Sequence, residues 1–164
     1  MTYTRAAGVL ALIAALPLFA TAVAIAKPVV AITLAQATVV TAADGTSHLA
    51  ALDGSTAIGS GVVIRYTVTA KDAGSDPARK LVLAGHVPSG TALRPGSVRG
   101  SGGHAEFSLD GKSFSTRPMV AVKTPAGDVM QPADPALYVM IRWLKDIPLA
   151  PQTSTAFSYD VIVK

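Results

Sequence analysis

The run Val62-Val63-Ile64-Arg65-Tyr66-Thr67-Val68-Thr69-Ala70 is the cleanest period-two stretch in the sequence. Successive side chains of a strand point to opposite faces. Val62, Ile64, Tyr66, Val68 and Ala70 therefore share one face, and Val63, Arg65, Thr67, Thr69 and Lys71 share the other. The first face is a core face and the second is mostly wet, which makes this stretch the strand around which the other elements are arranged.

Reading outward, Ala73-Gly74-Ser75-Asp76-Pro77 closes that strand, because Pro77 has no N–H for a ladder and Gly74 tolerates positive φ. On the upstream side, Val29 to Val40 is a strand rich in Val, Ile, Thr and Ala. Val30, Ile32 and Leu34 alternate, and the pattern is lost at Gln36, which predicts a bulge or a change of sheet. Ala43-Asp44-Gly45-Thr46 and Asp53-Gly54-Ser55 are turns around a short strand at His48 to Leu52, and Gly59-Ser60-Gly61 is a bend.

Downstream, Arg79 to Val87 offers Leu81, Leu83 and Val87 to the core, Thr91 to Arg94 is a short strand, and Gly100 to Gly103 reads as a mobile loop. His104 to Leu109 and Lys112 to Thr116 flank Asp110-Gly111, which predicts a two-residue type I′ hairpin with Phe107 opposite Phe114. Met119 to Lys123 is a short strand. Val139, Ile141 and Trp143 share one face of the next strand, with Tyr138, Met140 and Arg142 on the other. The last strand, Thr155 to Lys164, turns Phe157, Tyr159, Val161 and Val163 inward. Beyond the amino-terminal segment no stretch has a 3.6-residue apolar period of helix length, so the predicted class is all-β: an antiparallel sandwich of about seven to nine strands.

The chain has 164 residues, the size of one domain, and only 5% are aromatic and 15% charged, while 14 Gly and 11 Pro punctuate many short elements. Met1 to Arg5 carries one positive charge, Ala6 to Ala26 is almost unbroken in its apolar character, and Ala24-Ile25-Ala26 has the small-residue spacing of a processing site. Residues 1–26 thus read as a secretory signal peptide cleaved before Lys27, leaving residues 27–164 as the sandwich domain. Uncleaved, the same segment is long enough to span a bilayer; Pro17 and the small residues favour cleavage, after which no membrane segment is expected.

Without Arg5 the 14 basic side chains become 13 against 10 acidic ones, a net charge near +3. Those charges are scattered, with no run and no interleaved aromatics, which argues against nucleic acid as a partner. There is no cysteine, so an exported domain must hold together through its core and no lipid can be attached to a thiol.

The order of these motifs resembles a known family. The stretch Val62 to Ala70, then Asp72-Ala73-Gly74-Ser75-Asp76-Pro77-Ala78, Leu81 to Val87, Pro88-Ser89-Gly90-Thr91 and Arg94-Pro95-Gly96-Ser97-Val98 resembles the Ig-like "domain of unknown function eleven" modules of bacterial and archaeal surface proteins. Phe107-Ser108-Leu109-Asp110-Gly111-Lys112-Ser113-Phe114, Ile141-Arg142-Trp143 and the closing strand Phe157 to Val163 are similar to the longer single-domain bacterial members. The resemblance covers roughly Ile58 to Lys164 and implies an Ig-like, extracytoplasmic structural or adhesive module without catalysis. Two departures are Lys71-Asp72-Ala73, where the family usually has Asn or Thr, and Ala84-Gly85-His86, where it has an Asp.

Candidate chemistry is sparse. His48, His86 and His104 lie on separate elements without metal-ligand spacing, and a site would require two of them to meet Asp44 or Asp53. No Gly-x-Ser-x-Gly elbow supports a Ser/His/Asp triad, and the glycines at Gly59 to Gly61 and Gly100 to Gly103 precede no helix that could cradle phosphate. Asp44, Asp53, Asp72, Asp76, Asp110, Asp128 and Asp134 read as turn formers, with converging calcium ligands as the sharper alternative. Arg65, Lys71 and Arg142, beside Tyr138 and Met140, would form a basic stripe for a glycan or a partner if they share a sheet face.

No catalytic, cofactor or metal residues are therefore assigned. The sequence predicts a non-enzymatic structural or interaction module, secreted, periplasmic or on the cell surface. Self-association by strand addition through Lys27 to Val40 is one expectation, and a monomeric binding module for a glycan, metal or assembly partner is the other.

Overall fold

A computed structural model describes residues 27–52 and 58–164. The predicted signal segment lies outside the described residues. Eleven strands occur among them: β1 Val30–Thr41, β2 Ser47–Ala51, β3 Val63–Asp72, β4 Val82–His86, β5 Thr91–Leu93, β6 Arg99–Gly100, β7 Gly103–Ser108, β8 Met119–Thr124, β9 Gly127–Pro132, β10 Met140–Lys145 and β11 Ser154–Val163. One sheet runs β2-β1-β3-β11-β5, with β6 also on β11; a second runs β4-β10-β7; β8 and β9 form a separate hairpin. Nine strands thus build the two main sheets, all antiparallel, an arrangement consistent with a β-sandwich.

The alternation read from Val62 to Ala70 is realised in β3, where Ile64, Val68 and Ala70 are buried. β3 is flanked by the long strands β1 and β11, with registers Leu34↔Val68 and Phe157↔Val68. From the facing sheet come Leu83, Ile141 and Trp143, which join Phe157, Tyr159 and Val161 in one core. Each such large side chain contributes roughly 1.5–3 kcal/mol on burial. Trp143 stacks across the layers on Phe157 with centroids 6.4 Å apart, and within the larger sheet Phe157 stacks on Tyr159 at 5.8 Å and Tyr159 on Tyr66 at 5.4 Å.

Tyr159 also crosses between the sheets. Its hydroxyl donates to the His86 carbonyl at 2.8 Å, and its ring occupies the space that a side chain at Gly85 would fill, with a Cβ there falling 2.8 Å from the tyrosine Cζ and closer to Cε1. The loop after β3 is organised by Asp72, which is fully buried and accepts N–H bonds from Val29 at 3.3 Å, Gly74 at 2.9 Å and Ala78 at 3.0 Å. One carboxylate thereby fastens the chain entering β1 to the turn leaving β3.

Several expectations are corrected. No bulge interrupts β1 at Gln36, since its register with β3 is continuous from Val30↔Asp72 to Thr38↔Ile64. The alternation fades there because β1 lies beyond the cover of the second sheet, so neither of its faces is selected for burial. The Asp110-Gly111 segment is not a two-residue hairpin turn. Phe107 pairs with Ser115 rather than Phe114, because the Asp110 carboxylate captures the N–H groups of Lys112 at 2.8 Å and Ser113 at 2.7 Å and the Ser108 hydroxyl at 2.9 Å, which rounds the loop out. Those bonds, Ser113 first, hold the Asp110 carboxyl well below the usual carboxylate range.

Gly100 and Gly103 belong to β6 and β7 rather than to a loop, and their missing side chains make room for the Trp143 indole between them. β9 is an addition, paired with β8 in a stretch where the sequence predicts no strand. Tyr138 is buried and stacks on Phe107 at 4.9 Å, while Val139 is exposed. A 3-10 turn at Pro135–Leu137, capped by Asp134, precedes β10, so strand alternation starts only at Met140.

Two outcomes test this packing. Gly85→Ala lowers stability by about 1–3 kcal/mol, whereas Gly59→Ala, with nothing within 4 Å of its Cβ, leaves the thermal midpoint nearly unchanged; thermal melts followed by circular dichroism compare them. Burial pushes the Tyr159 phenol above its ordinary range. Its contribution is fully present below the unfolded value of about 10 and is lost as the pH rises further, because only the unfolded chain releases the proton. Denaturant midpoints measured from about pH 9 to about pH 11 fall in the parent and fall less in Tyr159→Phe.

Candidate functional site

The residues singled out by sequence do not converge. His48 lies on β2, His86 on β4 and His104 on β7, all exposed. The Nδ1 of His104 lies 3.1 Å from Asp146, and among the described residues no group of three or more His, Cys, Asp or Glu could hold a metal ion. Asp44 accepts the N–H and hydroxyl of Thr46 within its turn, the hydroxyl bond first in holding its carboxyl below the usual range. Asp134 accepts the Ala136 N–H as a cap, and Asp72 and Asp110 organise the loops described above. Asp76 lines a shallow hollow beside Pro28 and Arg79, and Asp128 lies exposed on β9. Asp53 is outside the described residues.

The basic stripe is not formed. Arg65 and Lys71 belong to β3 and Arg142 to β10 of the other sheet. Arg142 is committed to its cross-strand partner Glu106, with Nε donating to Oε2 at 2.6 Å, and its guanidinium lies over the Phe114 ring at 4.4 Å. Tyr138 faces the core.

A different constellation gathers on the outer face of the larger sheet. Asp160 of β11 stands opposite Arg65 of β3 and is only 2% exposed although it points away from the core. Arg65 holds it with two bonds, Nε to Oδ1 at 2.7 Å and Nη2 to Oδ2 at 3.0 Å, and that bond, ahead of its direct charge attraction, raises the already high guanidinium pKa. Above them runs the turn Arg94-Pro95-Gly96-Ser97, with Gly96 in the left-handed region at φ 67.

This turn is tied to β11 through its backbone. The Arg94 N–H donates to the Asp160 carbonyl at 2.9 Å, the Asp160 N–H donates to the Ser97 hydroxyl at 3.1 Å, and that hydroxyl donates to the Arg94 carbonyl at 2.7 Å. The bonded turn brings Arg94 to 3.9 Å from Asp160 Oδ2, and Arg99 donates to the carbonyls of Gly96 and Val98. Together they wall a polar hollow of about 210 Å³. A second hollow of about 400 Å³ shares Pro95, Gly96 and Arg99 and is lined on its other side by Phe107, Tyr138 and Trp143.

Sequence reasoning missed Asp160. The available signal was a charged residue inside the alternating run Phe157 to Val163, on its outward face; its pairing with Arg65 comes from the strand order.

At the far end of the same sheet lies an open edge. β2 pairs with β1 only from Ala37 to Thr41, and among the described residues no strand pairs with Val30–Gln36 on the side away from β3. Ile32 is 58% and Leu34 64% exposed there. No described helix is long and apolar enough to cross a membrane.

Compared with protein-family models, curated proteins and solved structures, the chain matches none.

Asp160→Ala removes the acceptor that orders Arg65 and Arg94. Because Arg65 keeps partial access to solvent, the loss is about 1–3 kcal/mol rather than that of a fully buried pair, and Asp160→Asn recovers part of it. Denaturant unfolding of the two variants measures both.

Proposed function

We propose that this chain is an exported, non-enzymatic interaction module of the Ig-like sandwich class, and that it associates with further copies of itself through the edge of β1 that no described strand pairs. Export rests on the Ala6 to Ala26 pattern, and the Ig-like class on the order of motifs. The observation that carries the association is the half-paired edge at Val30–Gln36, whose two faces are both largely exposed.

A strand edge that no described strand pairs offers N–H and C=O groups to another strand, and stable monomers blunt such edges with charges, prolines or bulges. Val30-Ala31-Ile32-Thr33-Leu34-Ala35-Gln36 has none of these. β1 already pairs with β3 over nine residues, so the reading concerns its outer edge rather than donation of the whole strand. Antiparallel pairing of this segment with itself, centred on Thr33, is self-complementary. Ile32 of each copy then lies opposite Leu34 of the other, as a two-fold contact requires. Cross-strand pairs of this kind contribute roughly 0.2–1 kcal/mol each, so the association is weak and concentration-dependent.

Size exclusion with light scattering on the full chain, from about 10 to about 500 μM, a range suited to such weak pairing, shows a dimer that the double substitution Ile32→Lys, Leu34→Lys abolishes. These exposed substitutions keep the thermal midpoint close to that of the parent. A parent that stays monomeric throughout, or an oligomer indifferent to the lysines, overturns the reading.

A further inference from the structure

The hollow beside Asp160 is built in a way that stability alone does not require. Three guanidinium groups, Arg65, Arg94 and Arg99, surround it against one carboxylate, leaving a local charge of +2. Arg65 is fully engaged by Asp160. Arg94 reaches the same carboxylate only at 3.9 Å, and Arg99 bonds only main-chain carbonyls. Arg94 is thus only distantly paired, and Arg99 meets no acid among the described residues.

The turn that carries Arg94 is tied to Asp160 by two main-chain bonds and closed on itself by the Ser97 hydroxyl, and Arg99 lies on β6, which pairs with β11. Fixed donors of like charge around a concave polar wall concentrate field and select anions. A carboxylate offers two coplanar oxygens and is satisfied by one guanidinium fork. Two forks entering from different residues match an anion with oxygens in more than one plane, and about 210 Å³ has room for one such group with its water or the sugar that carries it.

We propose that the hollow walled by Arg65, Arg94, Arg99 and Ser97 binds a tetrahedral oxyanion, sulfate or phosphate, either free or as an ester on a sugar polymer. Asp160 and Arg65 hold the platform, while Arg94 and Arg99 touch the anion. This site lies at the β5 and β6 end of the sheet, away from the β1 edge, and does not depend on self-association.

The test is a titration of the full chain at constant ionic strength with sodium sulfate, sodium phosphate and sodium chloride, followed by amide shifts of Gly96 and Ser97, and by calorimetry with dextran sulfate and neutral dextran. Saturable shifts with sulfate or phosphate but not chloride are expected. Arg94→Gln with Arg99→Gln weakens binding about tenfold or more, as loss of charge-assisted donors requires. Lys112→Gln with Lys123→Gln, an equal loss of charge elsewhere, changes it less than about twofold, as expected for remote screened charges.

Should the Arg99 change disturb the turn, Arg94→Gln alone serves, because Arg94 holds the turn through its main-chain N–H. Tighter binding of dextran sulfate than of free sulfate assigns the anion to a polymer, and equal binding assigns it to the free ion. Chloride shifts equal to those of sulfate, or equal losses in the two charge-matched variants, overturn the proposal.

Discussion

The structure depends on Tyr159. It is the point where the two sheets are joined by something more specific than apolar contact: a buried ring between Tyr66 and Phe157, and a hydroxyl that reaches the main chain of β4. A polar tip on a large apolar ring fixes both the separation and the lateral offset of the layers, since the hydrogen bond is satisfied at only one position. Gly85 is the reciprocal half of that contact. The domain has no cysteine to take over this task, and its interlayer registration relies on such directed contacts, with the indole of Trp143 seated between Gly100 and Gly103 as a second one.

The polar groups follow a consistent division. Asp44, Asp72, Asp110 and Asp134 each bond N–H groups within their own loops or caps, which frees the chain to make sharp reversals without helices. Asp160 is the exception: an acid on a strand, turned outward, yet held by Arg65 of β3 and approached by Arg94 of the turn after β5. A buried carboxylate needs charged or hydrogen-bonded partners, and three guanidinium groups line the hollow around this one.

Much of the fold was legible in the sequence, and the reasons differ by element. β3 and β11 were readable because both are central and packed, so burial imposed a strict two-residue period from Ile64 to Ala70 and from Phe157 to Val163. β1 was readable as a strand from its composition, but its apparent irregularity at Gln36 reflected missing cover rather than altered backbone. The hairpin register failed because the Asp110 side chain competes for N–H groups that a two-residue turn would leave to the ladder. β9 was invisible because neither face of the β8–β9 hairpin is deeply buried. The arginine hollow was not legible, since Arg65, Arg94, Arg99 and Asp160 come together only once β3, β11 and the turn after β5 are in register.

The two longest partners of that register are also far apart along the chain. Arg65 and Asp160 are 95 residues apart, and the strand next to β3 in the middle of the larger sheet is the last one made. Closing such long loops comes late and slowly, because chain entropy must be lost before the contact forms. Until β11 is in place, β3 has β1 on one side and an open ladder on the other, and Leu83, Ile141 and Trp143 lack the cover of Phe157, Tyr159 and Val161. The packing of Phe157, Tyr159 and Val161 against the facing sheet is therefore among the last contacts a folding chain can make, because the strand that carries them is the last described one in sequence and sits in the middle of the larger sheet.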